Sequence, residues 1–318
     1  MLARLALLAL LTGCGGAHPA PAAAAPADGE RPARAAPAPG PAAPVAAWFA
    51  PAALAADVAW LCAPARAGRG AHQPGGHATA DWVAGVFREL GLDVVRQPIG
   101  AMPGAENVIG ILRGDARAVL VSAHYDHLGR DDDGTVYPGA DDNASGVAVL
   151  LAIARDLARG ARPRHTVLLV AFGAEEEGLL GSGEYIVHPA WPLERTAAVI
   201  NFDMVGRNFF EAGADQPGAA AIIGSETVDG GRAAVQTAAD AAGLKVIAAP
   251  AALLDVLGYA NRTDDWWFRR RSVPAIHFST GMHDDYHLPS DTPDRLVPEQ
   301  MSRIARAAAG LARWLANR

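Results

Sequence analysis

Short apolar runs rich in Val and Ile recur along the chain, and they are typical of strands buried inside a sheet. Between them, apolar residues return at three- and four-residue steps, which predicts helices that bury one face. The runs predict strands at Asn107–Leu112, Ala118–Ala123, His165–Phe172, Ala197–Phe202 and Val273–Phe278. The stepped segments predict helices at Thr79–Leu90, Ser145–Leu157, Arg232–Ala242 and Pro298–Ala316.

The alternation of strand and helix predicts the fold class. We expect an α/β three-layer sandwich with a mostly parallel central sheet and helices on both faces. Ligand sites in that architecture lie beyond the carboxyl ends of the strands. The composition stays globular over residues 46–318, without a second linker or an internal repeat, so this range is predicted to be one domain.

The amino terminus is typical of an export signal. Arg4 precedes the apolar run Leu5–Leu11, which is too short to span a bilayer. The sequence Leu11-Thr12-Gly13-Cys14 then resembles the bacterial lipoprotein cleavage box. The resemblance implies a signal peptide over residues 1–13, and a lipid on Cys14 that anchors an exported lipoprotein to a membrane. The alternative is a plain secretory signal with an incidental cysteine.

Residues 14–45 are rich in Ala and Pro and predict an extended, disordered tether. Gly15 after Cys14 favours the outer membrane, facing the periplasm, in a Gram-negative host. Cys62 is the only other cysteine, so a lipidated Cys14 leaves no internal disulfide. The formal net charge of -7 gives no general attraction to nucleic acid, and no nucleic-acid partner is expected.

Chemically active side chains follow three predicted strands at their carboxyl ends. His124 follows one strand, Glu176 follows the next and Asp203 a third, while Asp142 lies in an acidic turn that opens a helix. His287 comes near the end of the chain. Because the carboxyl ends of parallel strands meet at one edge of the sheet, we expect these residues to converge.

Two imidazoles and three carboxylates suit an open zinc site, since structural zinc usually takes several Cys ligands. Three carboxylates nearly neutralise two divalent ions, whereas one ion would leave carboxylates crowded and unpaired. Two zinc ions are therefore predicted, with one bridging carboxylate and a hydroxide between the ions as the nucleophile.

Five motifs occur in order between residues 120 and 295. They are His124-x-Asp126, Asp141-Asp142-Asn143-Ala144-Ser145-Gly146, Glu175-Glu176-Glu177-Gly178-Leu179-Leu180-Gly181-Ser182, Asn201-Phe202-Asp203-Met204 and Tyr286-His287. The series resembles the co-catalytic di-zinc aminopeptidase family, which includes bacterial secreted leucyl-type aminopeptidases and, more distantly, glutamate carboxypeptidase and glutaminyl cyclase. The resemblance implies that residues 46–318 form a zinc exopeptidase-like domain with metallo-aminopeptidase activity.

The resemblance also implies which residues bind the metals. His124 and Asp203 would hold one zinc ion, Glu176 and His287 would hold the other, and Asp142 would bridge both.

Three further residues receive roles from the resemblance. Asp126 would fix the tautomer and orientation of His124, as metal-bound imidazoles commonly require. Glu175 would be the general base that passes a proton to the leaving amine. Tyr286 would polarise the scissile carbonyl together with a zinc ion. A cis peptide bond after Asp142 is implied as well.

Several neighbouring residues have simpler interpretations. Asp141 is an alternative ligand, although the family register places the bridge at Asp142. His127 is expected to be a rim or hydrogen-bonding residue, and His277 a core residue. Asp291 is expected either to cap a turn or to support a ligand.

One segment departs from the family pattern. Many relatives carry Ser-Asp-His where this chain has Thr263-Asp264-Asp265, so Asp265 replaces a histidine. Because this segment shapes the substrate side of the site, the departure bears on substrate preference.

The predicted function is the hydrolysis of amino-terminal residues from peptides outside the cytoplasm. Carboxypeptidase or dipeptidase action is the main alternative, and it requires a basic side chain, such as Arg207 or Arg262, to bind a terminal carboxylate. Glutaminyl cyclisation is a further alternative. A non-catalytic binding module is the remaining one, although every ligand position is filled.

Overall fold

In the computed structural model, residues 45–211, 214–256, 258–259 and 261–318 are described. The predictions for the signal peptide, the lipidated Cys14 and the tether up to residue 44 lie outside these residues. Within the described part of the chain, no helix combines the length and the apolar character that crossing a bilayer requires.

An eight-stranded mixed sheet forms the centre of the structure, in the order β1-β2-β6-β3-β7-β12-β10-β11. Its strands are β1 (Asp93–Pro98), β2 (Glu106–Leu112), β3 (Asp115–His124), β6 (His165–Phe172), β7 (Thr196–Phe202), β10 (Ala219–Ile223), β11 (Lys245–Ala249) and β12 (Ala275–Ser279). The four central strands β6, β3, β7 and β12 are parallel to one another. Two small hairpins are formed by β4 (Gly129–Arg130) with β5 (Val136–Tyr137), and by β8 (Phe209–Glu211) with β9 (Ala214–Gln216).

Helices cover both faces of this sheet. They are α1 (Pro51–Leu61), α2 (Pro74–Glu89), α3 (Gly146–Arg159), α4 (Leu180–Val187), α5 (Gly231–Ala242), α6 (Ala252–Val256), α7 (Asp265–Arg270) and α8 (Pro298–Asn317). The larger apolar core joins α1, α2, α3, α5 and α8 to one face, and a smaller core joins α4 and α7 to the other. The three-layer α/β sandwich with a mostly parallel sheet is confirmed.

The alternation of side chains along β3 explains how one strand serves both cores. Val119 and Val121 belong to the larger core, whereas Ala118 and Leu120 belong to the smaller one. A strand that is buried on both faces has a continuous run of apolar residues in its sequence. All eight residues of β6 are buried, in agreement with this rule. The helix α3 is buried almost all round because α1 and α8 pack against it as well.

A short irregular segment, Ala140–Ser145, connects the first hairpin to α3. The peptide bond between Asp142 and Asn143 in this segment is cis, which confirms the bond implied by the resemblance. Asn143 is buried and donates a hydrogen bond from its amide to the carbonyl of Phe202 over 2.9 Å. The segment is thereby fixed against the carboxyl end of β7.

Candidate metal centre

Three neighbouring parallel strands deliver the candidate residues to one edge of the sheet. His124 is the last residue of β3, Asp203 directly follows β7, and the pair Glu175 and Glu176 follows β6. Because β6, β3 and β7 lie side by side in parallel, their carboxyl ends meet. The segment that contains Asp142 reaches the same place from the amino end of α3.

The first group of donor atoms is formed by His124, Asp142 and Asp203. The Nε2 atom of His124 lies 3.3 Å from Oδ1 of Asp142 and 3.4 Å from Oδ1 of Asp203. All three residues are buried. The three donor atoms therefore face one another at the floor of the site.

The second group consists of His127, His287, Glu176 and again Asp142. The Nε2 atom of His287 lies 3.0 Å from Oε2 of Glu176 and 3.3 Å from Oδ2 of Asp142. Asp142 thus turns one carboxylate oxygen to each group. The structure brings the five predicted ligands together, with Asp142 shared between the groups.

The donor atoms fit zinc in type and in spacing. Zinc binds nitrogen and oxygen at about 2.0–2.2 Å in a tetrahedron, which separates neighbouring ligand atoms by roughly 3.3 Å. The separations of 3.0–3.4 Å within the groups agree with this spacing. The Nε2 atom of His287 is buried, and its close approach to Glu176 lacks the geometry of a hydrogen bond. A bound cation would satisfy it.

The charge balance also favours a cation. Burial opposes charge on His287, but its contacts with Asp142 and Glu176 outweigh burial and raise its pKa to about 10. Burial likewise opposes charge on His124, yet the nearby Glu175 and Asp203 hold its pKa well above the usual value. Without a metal ion, the carboxylates therefore attract protons to the imidazoles. A divalent cation would supply that positive charge instead.

His127 is a member of the second group, which the sequence did not indicate. Its Nδ1 atom is 2.6 Å from Oε1 of Glu176 and 3.8 Å from Oδ2 of Asp142. Its ring meets that of His287 edge to face, with the centroids 5.6 Å apart. His127 is buried, so it is not a rim residue, and its Nδ1 atom lies where it could bind a metal ion as well as pair with Glu176. In the sequence, only its position three residues after His124 could have indicated that His127 lies at the site.

Asp126 contacts the main chain of the neighbouring loop. Its carboxylate accepts hydrogen bonds from the backbone N–H groups of Glu175, over 3.1 Å, and Glu176, over 3.3 Å. The Nδ1 atom of His124 lies 3.9 Å from this carboxylate and 3.2 Å from the backbone carbonyl of Asp126. The geometry therefore gives the carboxylate a second task, which is to hold the Glu175-Glu176 backbone.

Glu175 lies next to the first group without belonging to it. Its Oε2 atom is 4.0 Å from Nε2 of His124. Burial raises the pKa of Glu175 well above its usual value, and the neighbouring Asp203 and Asp264 add to the effect against the opposing charge of His124. A carboxyl group with a raised pKa beside the donor atoms can accept and return a proton, as its predicted role requires.

Tyr286 lies beside the second group. Its ring stacks on that of His287, with the centroids 3.8 Å apart and an interplanar angle of 22°. Burial and the nearby carboxylates raise the pKa of its phenol, so the hydroxyl keeps its proton as a hydrogen-bond donor. The predicted contact with a scissile carbonyl stays a prediction.

Asp141 points away from both groups. Its Oδ1 atom accepts a hydrogen bond from the backbone N–H of Gly206 over 2.6 Å, and its Oδ2 atom lies 3.3 Å from His283. Asp291 is fully buried and accepts the backbone N–H groups of both Asp141 and Asp142. This geometry favours Asp142 over Asp141 as a ligand and gives Asp291 a supporting position.

The segment that departs from the family pattern is anchored through contacts of Asp265. Asp265 lies 2.9 Å from Nε of Arg269 and 3.5 Å from Nδ1 of His277. His277 is buried and belongs to neither donor group, as expected of a core residue. Asp264 is buried beside the site, and burial raises its pKa to about 7.

The fold agrees with that of solved aminopeptidases. LapA aminopeptidase of Legionella pneumophila superposes with a TM-score of 0.71 and 20% identity, covering 86% of this chain and 73% of that one. BSAP, a zinc aminopeptidase from Bacillus subtilis, superposes with a TM-score of 0.68 and 17% identity, covering 85% and 96%. At such identities the likeness defines the fold alone.

The sequence comparison defines the family. The profile of peptidase family M28 matches residues 107–312, and the chain belongs to that family. Aminopeptidase YwaD of Bacillus subtilis (strain 168) is 38% identical over 113 residues, which are 34% of this chain and 23% of that protein. YfbL of Escherichia coli (strain K12) is 29% identical over 251 residues, 71% of this chain and 76% of that protein. The chain thus spans about a quarter of the first relative and about three quarters of the second.

Proposed function

We propose that this M28 peptidase is a zinc-dependent aminopeptidase that acts outside the cytoplasm and removes amino-terminal residues from peptides. The observation that carries the proposal is the sharing of Asp142 between two groups of donor atoms, with Glu175 beside them. The fold and the family agree with it, since similar proteins include aminopeptidases and zinc aminopeptidases.

Two zinc ions are proposed, one for each group. His124, Asp203 and one oxygen of Asp142 would hold the first, and Glu176, His287 and the other oxygen would hold the second. When bound, the ions supply Lewis acidity, which lowers the pKa of a water molecule and polarises a carbonyl.

The protein's own residues divide the remaining work. Glu175 would take a proton from the attacking water and return it to the leaving amine, while Asp126 keeps the Glu175 backbone in place. Tyr286 would donate a hydrogen bond to the carbonyl oxygen of the scissile bond. The buried surroundings strengthen both contacts because little water competes there.

The charges around the site favour an amino terminus over a carboxyl terminus. Besides burial, Asp203 and Asp264 raise the pKa of Glu175, and Asp203 raises that of Asp264, so a cationic amine would be attracted among these carboxyl groups. Arg207 is paired with Asp285 over 3.0 Å and with Asp291 over 3.2 Å. It therefore has little free charge to offer a terminal carboxylate. Arg262 is exposed and lies over the ring of Tyr259.

End-blocked peptides test this preference. Acetylation of the amino terminus is expected to lower the rate of hydrolysis at least about 10-fold, because the charged amine loses its carboxylate contacts. Amidation of the carboxyl terminus should leave the rate nearly unchanged. Mass spectrometry of the products reads out both. Release of residues from the carboxyl end of the acetylated peptide would show a carboxypeptidase, and cyclised glutamine would show a cyclase.

Export and membrane attachment are also part of the proposal, supported by the cleavage box that ends at Cys14. In a bacterial host, the wild-type protein should incorporate labelled palmitate and sediment with membranes. Cys14→Ala should remove the label and release the protein from the membrane fraction. Cys62→Ala is the matched control and should keep the label. Undiminished labelling of the Cys14 variant would overturn this part of the proposal.

A further inference from the structure

Arg69 is a fully buried cation whose guanidinium is bonded to carbonyl oxygens and not to a carboxylate in the described part of the chain. It ends a short helical segment, Pro64–Arg69, and has a positive φ of 57°. Burying a charge is costly unless hydrogen bonds satisfy it. We therefore expect the buried guanidinium to hold the surrounding backbone segments in position.

The guanidinium joins two loops that are distant in sequence. Its Nε donates to the carbonyl of Tyr125 over 3.0 Å. Its Nη1 and Nη2 donate to the carbonyls of Pro138, over 2.6 Å, and Gly139, over 2.7 Å. A fourth bond, from Nη1 to the carbonyl of Leu61 over 3.2 Å, ties the same group to the end of α1.

These carbonyls belong to the loops that carry candidate ligands. Tyr125 directly follows His124, and Gly139 lies three residues before Asp142. The donor atoms of His124 and Asp142 are 3.3 Å apart, so a small shift of either loop would alter the first group. The backbone carbonyl of Arg69 also accepts a hydrogen bond from the backbone N–H of His127 over 3.4 Å. One side chain thus sets the spacing of two ligand loops.

Residues around Arg69 hold this segment against the same loops. Gly68 has a φ of 75°, and a Cβ there would overlap the carbonyl oxygens of Gly129 and Tyr137. The side chain of Gln73 exchanges hydrogen bonds with the backbone of Arg130, over 3.0 and 3.1 Å. The segment is therefore built to approach the hairpin between the two ligand loops.

We propose that Arg69 is a positioning residue that braces the loops of His124 and Asp142 for metal binding. The inference rests on the proposed function, because it presupposes that these residues bind zinc. The planar, forked guanidinium of Arg69 donates to four separate carbonyls, whereas the single ammonium of a Lys cannot reach them all. Loss of the fork should let the loops move independently and weaken zinc binding about 10-fold to 100-fold, as for other residues that orient metal ligands.

Two variants and one control test the proposal. Arg69→Lys keeps the charge but loses the fork, and Arg69→Gly removes the side chain at a position where the backbone suits Gly. Arg155→Ala is the control, because it breaks a partly buried ion pair with Asp57, between α3 and α1, that does not involve the ligand loops. Zinc affinity is measured by competition with a chelating dye, and folding by circular dichroism and Tm.

Both Arg69 variants are expected to fold and to bind zinc about 10-fold to 100-fold more weakly. The control should keep its zinc affinity even where its Tm falls. Millimolar guanidinium should restore zinc affinity to Arg69→Gly, which a general loss of stability would not allow. Unchanged zinc affinity in Arg69→Lys would overturn the proposal, as would failure of both variants to fold while the control folds. Absence of zinc binding in the wild type would overturn the proposed function instead.

Discussion

Replacement of Glu175 by Gln is expected to lower kcat by about 100-fold to 10,000-fold, the range contributed by a positioned general base. The amide keeps the size of the side chain but cannot accept a proton from water. Zinc content and KM should change little, because Glu175 lies beside the donor groups and belongs to neither. Steady-state kinetics on a peptide with a free amino terminus, together with metal analysis, measure all three quantities.

Glu177→Gln is the matched control for this prediction. This variant makes the same substitution two residues away, at an exposed position of the same turn. Its kcat should stay within about 2-fold of the wild type, as expected of an exposed substitution outside the site. If Glu175→Gln kept full activity with its zinc in place, another group would have to serve as the base.

The second large effect is expected at Asp142. Asp142→Asn keeps the shape of the side chain but removes the charge that both donor groups share. Zinc binding should therefore be weaker at both groups. We expect zinc affinity to fall by at least about 100-fold, more than for residues that only orient ligands. At limiting zinc, activity should fall by about 1,000-fold, which corresponds to several kcal/mol of lost Lewis-acid stabilisation.

Asp141→Asn separates this expectation from its alternative. Asp141 makes its contacts with Gly206 and His283, outside the donor groups, and an amide oxygen can still accept the Gly206 N–H. This variant should retain zinc at both groups. The reverse result, with zinc lost in Asp141→Asn and kept in Asp142→Asn, would show that the register of the ligand turn is wrong by one residue.

The central strands were predictable because they are buried on both faces. The predicted strand His165–Phe172 has the bounds of β6, and the predicted helix Pro298–Ala316 ends one residue short of α8. The edge strand β1 was not predicted, because most of its residues are exposed and it includes a proline. The Ala-rich helix α1 was also missed, since Ala marks apolar and exposed faces alike.

The candidate site was predictable to the extent that its residues lie at strand ends. His124 ends one strand, Glu176 and Asp203 come after two others, and the rule for parallel sheets places such residues together. The contacts that support them were not predictable, because they join residues far apart in sequence. Arg69 donates hydrogen bonds to carbonyls up to 70 residues away. Because every residue has a backbone carbonyl, the sequence does not indicate which carbonyls accept these bonds. Likewise, the pairing of Arg207 with Asp291 could not be read from either residue.

The most direct test of the central claim is the anomalous scattering of crystals of the purified protein at the zinc absorption edge. The proposal predicts two peaks about 3.5–4 Å apart at the carboxyl ends of the central strands. One peak should contact His124 and Asp203, the other Glu176 and His287, and both should contact Asp142. A single peak, or ions held by other residues while these five face solvent, would contradict the account.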